Sequence, residues 1–90
     1  MRELLVESRP VPDGWGGIRV LEYSILIEEK RDGSFLCESY GVRIAERGSG
    51  NQSAVRDVTC RAARIDELVD LLARNEVRPG HLLDVVMDWL

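Results

Sequence analysis

Between residues 18 and 47 the chain reads "IRVLEYSILIEEK" (18–30), "RDGS" (31–34) and "FLCESYGVRIAER" (35–47). Two runs rich in β-branched and aromatic residues flank Asp32-Gly33, a dipeptide that favours a tight hairpin loop. With Asp32 and Gly33 as the loop, Arg31 stands opposite Ser34 and the register of both strands follows. Leu21 then faces Ile44, Tyr23 faces Val42 and Ile25 faces Tyr40. Six large apolar residues thus gather on one side, as a half-buried antiparallel pair requires. On the other side Glu22 meets Arg43, a pairing of opposite charges that agrees with this register, and Ser24 meets Gly41. Glu38 falls opposite Ile27 on the apolar side, near the turn, where the sheet opens to solvent. A bulge at Gly41 would shift the far half of the register by one residue.

Upstream, "ELLVE" (3–7) suits a short edge strand. In "SRPVPDGWGG" (8–17), two prolines and three glycines argue against regular structure. Trp15 sits in this loop between glycines. A tryptophan is costly to leave in water, so its ring is expected to fold back over a sheet edge. The alternative is a ring presented to a partner. Downstream, "GSGNQSA" (48–54) reads as a mobile loop, and "VRDVTC" (55–60) has the β-branched content of one more strand.

"RIDELVDLLARNE" (64–76) then changes period. Ile65, Leu68, Val69, Leu71 and Leu72 cluster on one side of a helical wheel, opposite Glu67, Asp70 and Arg74. Asp70 precedes Arg74 by four positions, the favourable order for an ion pair, and Asp66 and Glu67 suit a first turn. Pro79 disfavours helical geometry at Arg78 and suits the start of a second helix. Strands first and helices last, with no repeat and no long linker, predict one domain over residues 1–90. Its class is α+β: a three- or four-stranded antiparallel sheet with two C-terminal helices packed on one face.

The second helix carries the chain's only histidine. Leu82, Leu83, Val85, Val86, Met87, Trp89 and Leu90 fill an arc of about 200 degrees, which leaves His81, Asp84 and Asp88 as neighbours on the remainder. An imidazole and two carboxylates are acceptable zinc or manganese ligands, which makes these three the candidates for a metal or small-ligand site. Any amphipathic helix gathers its polar residues this way, however, and no second element offers a further donor. A catalytic histidine would also need a nucleophile and an orienting group, and no motif places either. The solvated face is therefore the expected reading, with no catalytic residue, cofactor or metal. The apolar arc is wider than the stripe of roughly 100 degrees that a helix on one sheet face needs. It is wedged between the sheet and the first helix, or partly buried against another chain. Trp15, Val86, Met87, Trp89 and Leu90 are the interface candidates. Asp88 lies in the last turn, where the helix dipole favours a cation, so a basic residue from elsewhere is expected nearby.

Composition narrows the function classes further. The chain is 44% hydrophobic and 31% charged with a formal charge of -4, values of an ordinary globular protein without the basic footprint of a nucleic-acid binder. No apolar run approaches the roughly 20 residues of a membrane span, and "MRELLVESRP" is too charged for a signal peptide. A cytoplasmic location is expected. Cys37 and Cys60 have no zinc or disulfide spacing and read as free thiols acting as structural filler. Glycine-rich "GSG" and "GWGG" lack the strand-to-helix context of a phosphate loop.

Three stretches, Tyr23–Ile27, the "SYGV" of Ser39–Val42, and Asn75–Leu90, carry a resemblance. The last follows the pattern NEVxPxHLxDVVxDxL, with Gly80 and Trp89 as compatible variations. The chain resembles a family of small uncharacterised Firmicutes domains of unknown function. That resemblance implies a small cytoplasmic domain and supplies no catalytic residue. The expected role is a non-enzymatic protein-binding or regulatory module that contacts a protein partner or a second copy of itself. A domain using His81, Asp84 and Asp88 for a small ligand or metal is the alternative.

Overall fold

A computed structural model describes residues 1–90. Four strands, β1 (Arg2–Pro12), β2 (Ile18–Asp32), β3 (Phe35–Glu46) and β4 (Gln52–Thr59), form one antiparallel sheet in the order β1-β2-β3-β4. Helix α1 (Ala62–Arg74) and helix α2 (Leu82–Trp89), the latter entered through a 3-10 turn at Pro79–His81, follow. The class is the expected α+β, with the sheet at four strands. Both helices cover one face. Leu21, Tyr23, Ile25, Val42 and Ile44 from the sheet meet Ile65, Leu68, Val69, Leu72, Leu82 and Val86 from the helices in a single core.

The central hairpin forms, but its loop is Gly33-Ser34. Asp32 pairs with Phe35, so Tyr23 meets Ile44, Ile25 meets Val42 and Ile27 meets Tyr40, while Arg31 meets Leu36. Gly33 has φ of 63° and Asp32 is not in the left-handed region, which places the glycine first in the loop rather than second. Every expected partner is displaced by two residues. Because strand side chains alternate with period two, an even displacement leaves each residue on its expected face. Glu22 accordingly meets Ala45 instead of Arg43, and Glu38 meets Glu29.

No register shift interrupts β2 and β3 at Gly41; the irregularity lies on the other side, between β3 and β4. Val42 pairs with Val55 and Tyr40 with Thr59, so β4 carries extra residues opposite Gly41, with Asp57 in the left-handed region at φ of 56°. A Cβ at position 41 would lie 2.3 Å from the Val55 carbonyl oxygen and 2.8 Å from the Arg56 Cα. Gly41 is therefore where the β4 backbone presses closest to β3.

β1 runs through the two prolines thought to end it. It is an edge strand, and residues 10 and 12 share a parity, so both nitrogens fall on one side; the outer side of an edge strand needs no donor. Gln52–Ala54, read as loop, likewise belong to β4. α1 starts at Ala62, which moves Asp66 and Glu67 out of its first turn; Asp70 pairs with Arg74 at 2.8 Å, as its spacing requires. The helix ends in a Schellman motif. Val77 N–H donates to Leu72 and Glu76 N–H to Ala73, with Glu76 at φ of 49° in the position usually held by glycine. The carbonyl of Val77 accepts a 3.0 Å hydrogen bond from the hydroxyl of Tyr23, which ties the interhelical turn to the middle of β2.

Three outcomes follow for stability. Gly41→Ala is expected to lower the urea unfolding free energy by about 2–3 kcal/mol, since backbone atoms must move to admit the methyl group. Glu76→Gly is expected to raise it by about 0.5–1 kcal/mol, as the left-handed strain is relieved at some cost in unfolded-chain entropy. Burial, and then the charge of Glu76, push the Tyr23 hydroxyl up to about 12. The neutral form is favoured in the fold, so this contribution is intact below pH 10 and fades as pH rises from 10 through 12. Over that window the urea midpoint of the native chain should fall more steeply than that of Tyr23→Phe.

Candidate functional site

His81, Asp84 and Asp88 are all exposed on one side of α2, the histidine in the turn that precedes it. No group of three or more His, Cys, Asp or Glu side chains is placed to hold a metal ion. The shallow concavities lie elsewhere. The largest, a cleft of about 350 Å³, is lined by Met1, Arg2, Ile27, Glu28 and Glu29. A second of about 260 Å³ is lined by Pro10, Val11, Pro12, Gly17 and Ile18. Neither gathers a nucleophile beside a base. Cys37 and Cys60 are free thiols, as read, but both are exposed, so neither acts as core filler.

The apolar arc of α2 divides into two flanks. Leu82 and Val86 point into the core, Val86 at 1% exposure, so that candidate belongs to the interior. Val85 and Trp89 are half-buried, and the guanidinium of Arg64 in α1 lies 4.0 Å from the centre of the Trp89 ring. This supplies the expected basic residue at the end of α2, in a cation–π contact. Leu83, Met87 and Leu90 lie on the opposite flank and remain 56%, 62% and 69% exposed. Their spacing of four and three places them in one stripe along the helix. Leu83 was absent from the interface candidates, although the same wheel puts it between Met87 and Leu90. What the wheel lacks is the direction of α1, which decides which flank is covered.

Trp15 does not fold back on the sheet; its ring is 93% exposed. The loop beneath it is held rather than slack. One carboxylate oxygen of Asp13 accepts the backbone N–H of Trp15 at 2.7 Å and that of Gly17 at 2.9 Å, and Asp13 N–H donates to the Gly17 carbonyl at 3.1 Å. These backbone N–H donors, Trp15 first, hold the Asp13 carboxyl below the usual carboxylate range. Gly14 and Gly16, at φ of 85° and 86°, take conformations that other residues adopt only with strain. The strain-free loop thus sets the tryptophan outward.

The helix-free face of the sheet is covered by its own charges. Arg43 reaches Glu3 across β2 at 2.8 Å and also donates to Gln52 in β4. Arg56 donates to Glu28 across β3 at 2.9 Å, and Lys30 donates to Asp57 at 2.7 Å. Asp57 also accepts the Ser39 hydroxyl, and its carboxyl is held low by Lys30 and then Ser39. Arg47 joins Glu22 at 3.2 Å. Four bases here meet four acids, and Ser24, Leu26, Ser39 and Ala45 are buried beneath them. No net positive surface is left to meet a phosphate backbone. The sequence register missed this layer because three of its four ion pairs, Arg43–Glu3, Arg56–Glu28 and Lys30–Asp57, reach across an intervening strand.

No helix is long and apolar enough to cross a membrane. No curated protein and no solved structure matches the chain. One family of unknown function, DUF6514, matches residues 2–90. That match spans all four strands and both helices, and the chain therefore belongs to the DUF6514 family.

Proposed function

We propose that this domain is a non-enzymatic protein-binding or regulatory module that works in the cytoplasm through the outer flank of α2. The observation that carries this reading is the stripe of Leu83, Met87 and Leu90, left in water on a helix whose other flank is packed. Single exposed apolar residues are ordinary, but a contiguous row on a rigid element is the kind of surface that a protein contact covers. Trp15, fixed outward by Asp13, is a second anchor of the type that dominates contact energies, with little ordering left to lose on binding. Free, exposed Cys37 and Cys60 suit a reducing compartment.

The test compares the native chain with a Leu83→Glu/Met87→Glu variant as baits in an extract of the source organism. Both positions are exposed, so the variant should keep the native circular dichroism spectrum. The native bait is expected to retain a protein at stoichiometric level and the variant to lose it. Equal recovery by both baits would remove α2 as the contact surface.

A further inference from the structure

The two outer strands of the sheet are not equivalent. β1 carries Pro10 and Pro12 and a register irregularity between Leu5 and Glu7, features that spoil pairing along its outer side. β4 runs regularly from Gln52 to Val55, before the bulge about Asp57, and contains no proline. Its outer side is an open row of backbone donors and acceptors. α2 packs over this same strand, and α1 lies on the Trp89 flank of α2. The stripe of Leu83, Met87 and Leu90 therefore lies above β4 on the flank of α2 turned away from Trp89 and Arg64.

Area decides what the occupant must bring. Three side chains so exposed make a patch on the order of 300 Å². A standard stable interface buries about 800 Å² on each partner. The stripe alone falls short, so a stable occupant must engage the strand edge and the stripe together. It needs an unpaired strand with an apolar helix flank above it, and β4 with α2 is such a unit.

We propose that the occupant is a second copy of this chain, a reading that rests on α2 being a contact surface and names what covers it. β4 of one protomer pairs antiparallel with β4 of its partner about a two-fold axis perpendicular to the sheet at Ala54. The contact is isologous and closes. The two sheets become one of eight strands, and because both helix layers lie on the same side, the two α2 helices run antiparallel beside the axis. Met87 meets Met87, and Leu83 meets Leu90. In this register Arg56 of one copy faces Gln52 of the other and Ser53 faces Val55, so no like charges oppose each other across the new pairing. Asp84 and Asp88 stay on the solvent side of α2.

Sedimentation equilibrium of the full chain, from micromolar to millimolar concentration, measures the association. A concentration-dependent dimer is expected, with Met87→Glu weakening it at least tenfold while circular dichroism stays native. Antiparallel partners lie about 4.5–5.5 Å apart at Cα, within disulfide reach. In a Cys37→Ser/Cys60→Ser background, Ala54→Cys should therefore form a covalent dimer on mild oxidation, whereas Asp70→Cys on the outer face of α1 should not. A chain that stays monomeric throughout, a dimer indifferent to Met87→Glu, or one that Ala54→Cys does not trap overturns the proposal. Failure of the wider reading looks different: equal recovery by the native and Leu83→Glu/Met87→Glu baits removes α2 as a contact surface, whereas a monomeric chain whose variant still loses a bound protein keeps α2 and removes only the second copy as its occupant.

Discussion

Side-chain parity along β2 and β3 is the constraint on which the remainder of the structure rests. These are the two inner strands; β1, β4 and α1 pair or pack on them directly, and α2 joins through β4 and α1. Leu21, Tyr23 and Ile25 on β2, with Val42 and Ile44 on β3, must share a face for α1 to have anything to cover. A slip of one residue would send them all to the opposite side, among Arg43, Glu22 and Glu28. The observed slip of two does no such harm. It exchanges partners within each face, and of the six expected residues Leu21, Tyr23, Ile25, Val42 and Ile44 are buried in the core while Tyr40 is half-buried against it.

Gly41 links that hairpin to the outer strand. Its missing side chain lets the β4 backbone close on β3, and the extra residues of β4 at that point rotate Asp57 toward Ser39 and Lys30. Arg56 is set beside Glu28 by the same bulge. A balanced layer of long charged side chains results, lying over small residues on the face without helices. The sheet thus has one face closed by helices and one closed by ion pairs. The surfaces left with apolar groups in water are at its margins: α2 beside β4, the outer strand β1 with Met1, Leu4, Leu5 and Val6, the Trp15 loop with Ile18, and Phe35 and Leu36 near the hairpin turn.

The exposed apolar residues of α2 were legible in part as a list of residues, and hardly at all as a surface. Met87 and Leu90 stood out because the wheel of α2 had more apolar positions than one contact could cover. Val86 stood in the same arc and proved interior, while Leu83 proved exposed, since an arc carries no label for the side on which α1 lies. Trp15 takes the second of its two expected placements for a related reason. The general cost of a wet indole favoured burial, but the local hydrogen bonds from Trp15 and Gly17 to Asp13 determine the loop and leave the ring no neighbour to fold against.

Local patterns were enough for the α+β class, the hairpin, the amphipathic face of α1, the Asp70–Arg74 pair and the break before Pro79. Each depends on neighbours within a few positions, where helix and strand periodicity and turn chemistry act directly. The placement of glycine within the turn, the length of β1 through its prolines, the bulge opposite Gly41 and the exposed flank of α2 required the folded chain. These depend on which strand is an edge, which backbone approaches which, and where one helix lies beside another. Such relations join residues tens of positions apart, as Tyr23 and Val77 are joined, and no local period encodes them.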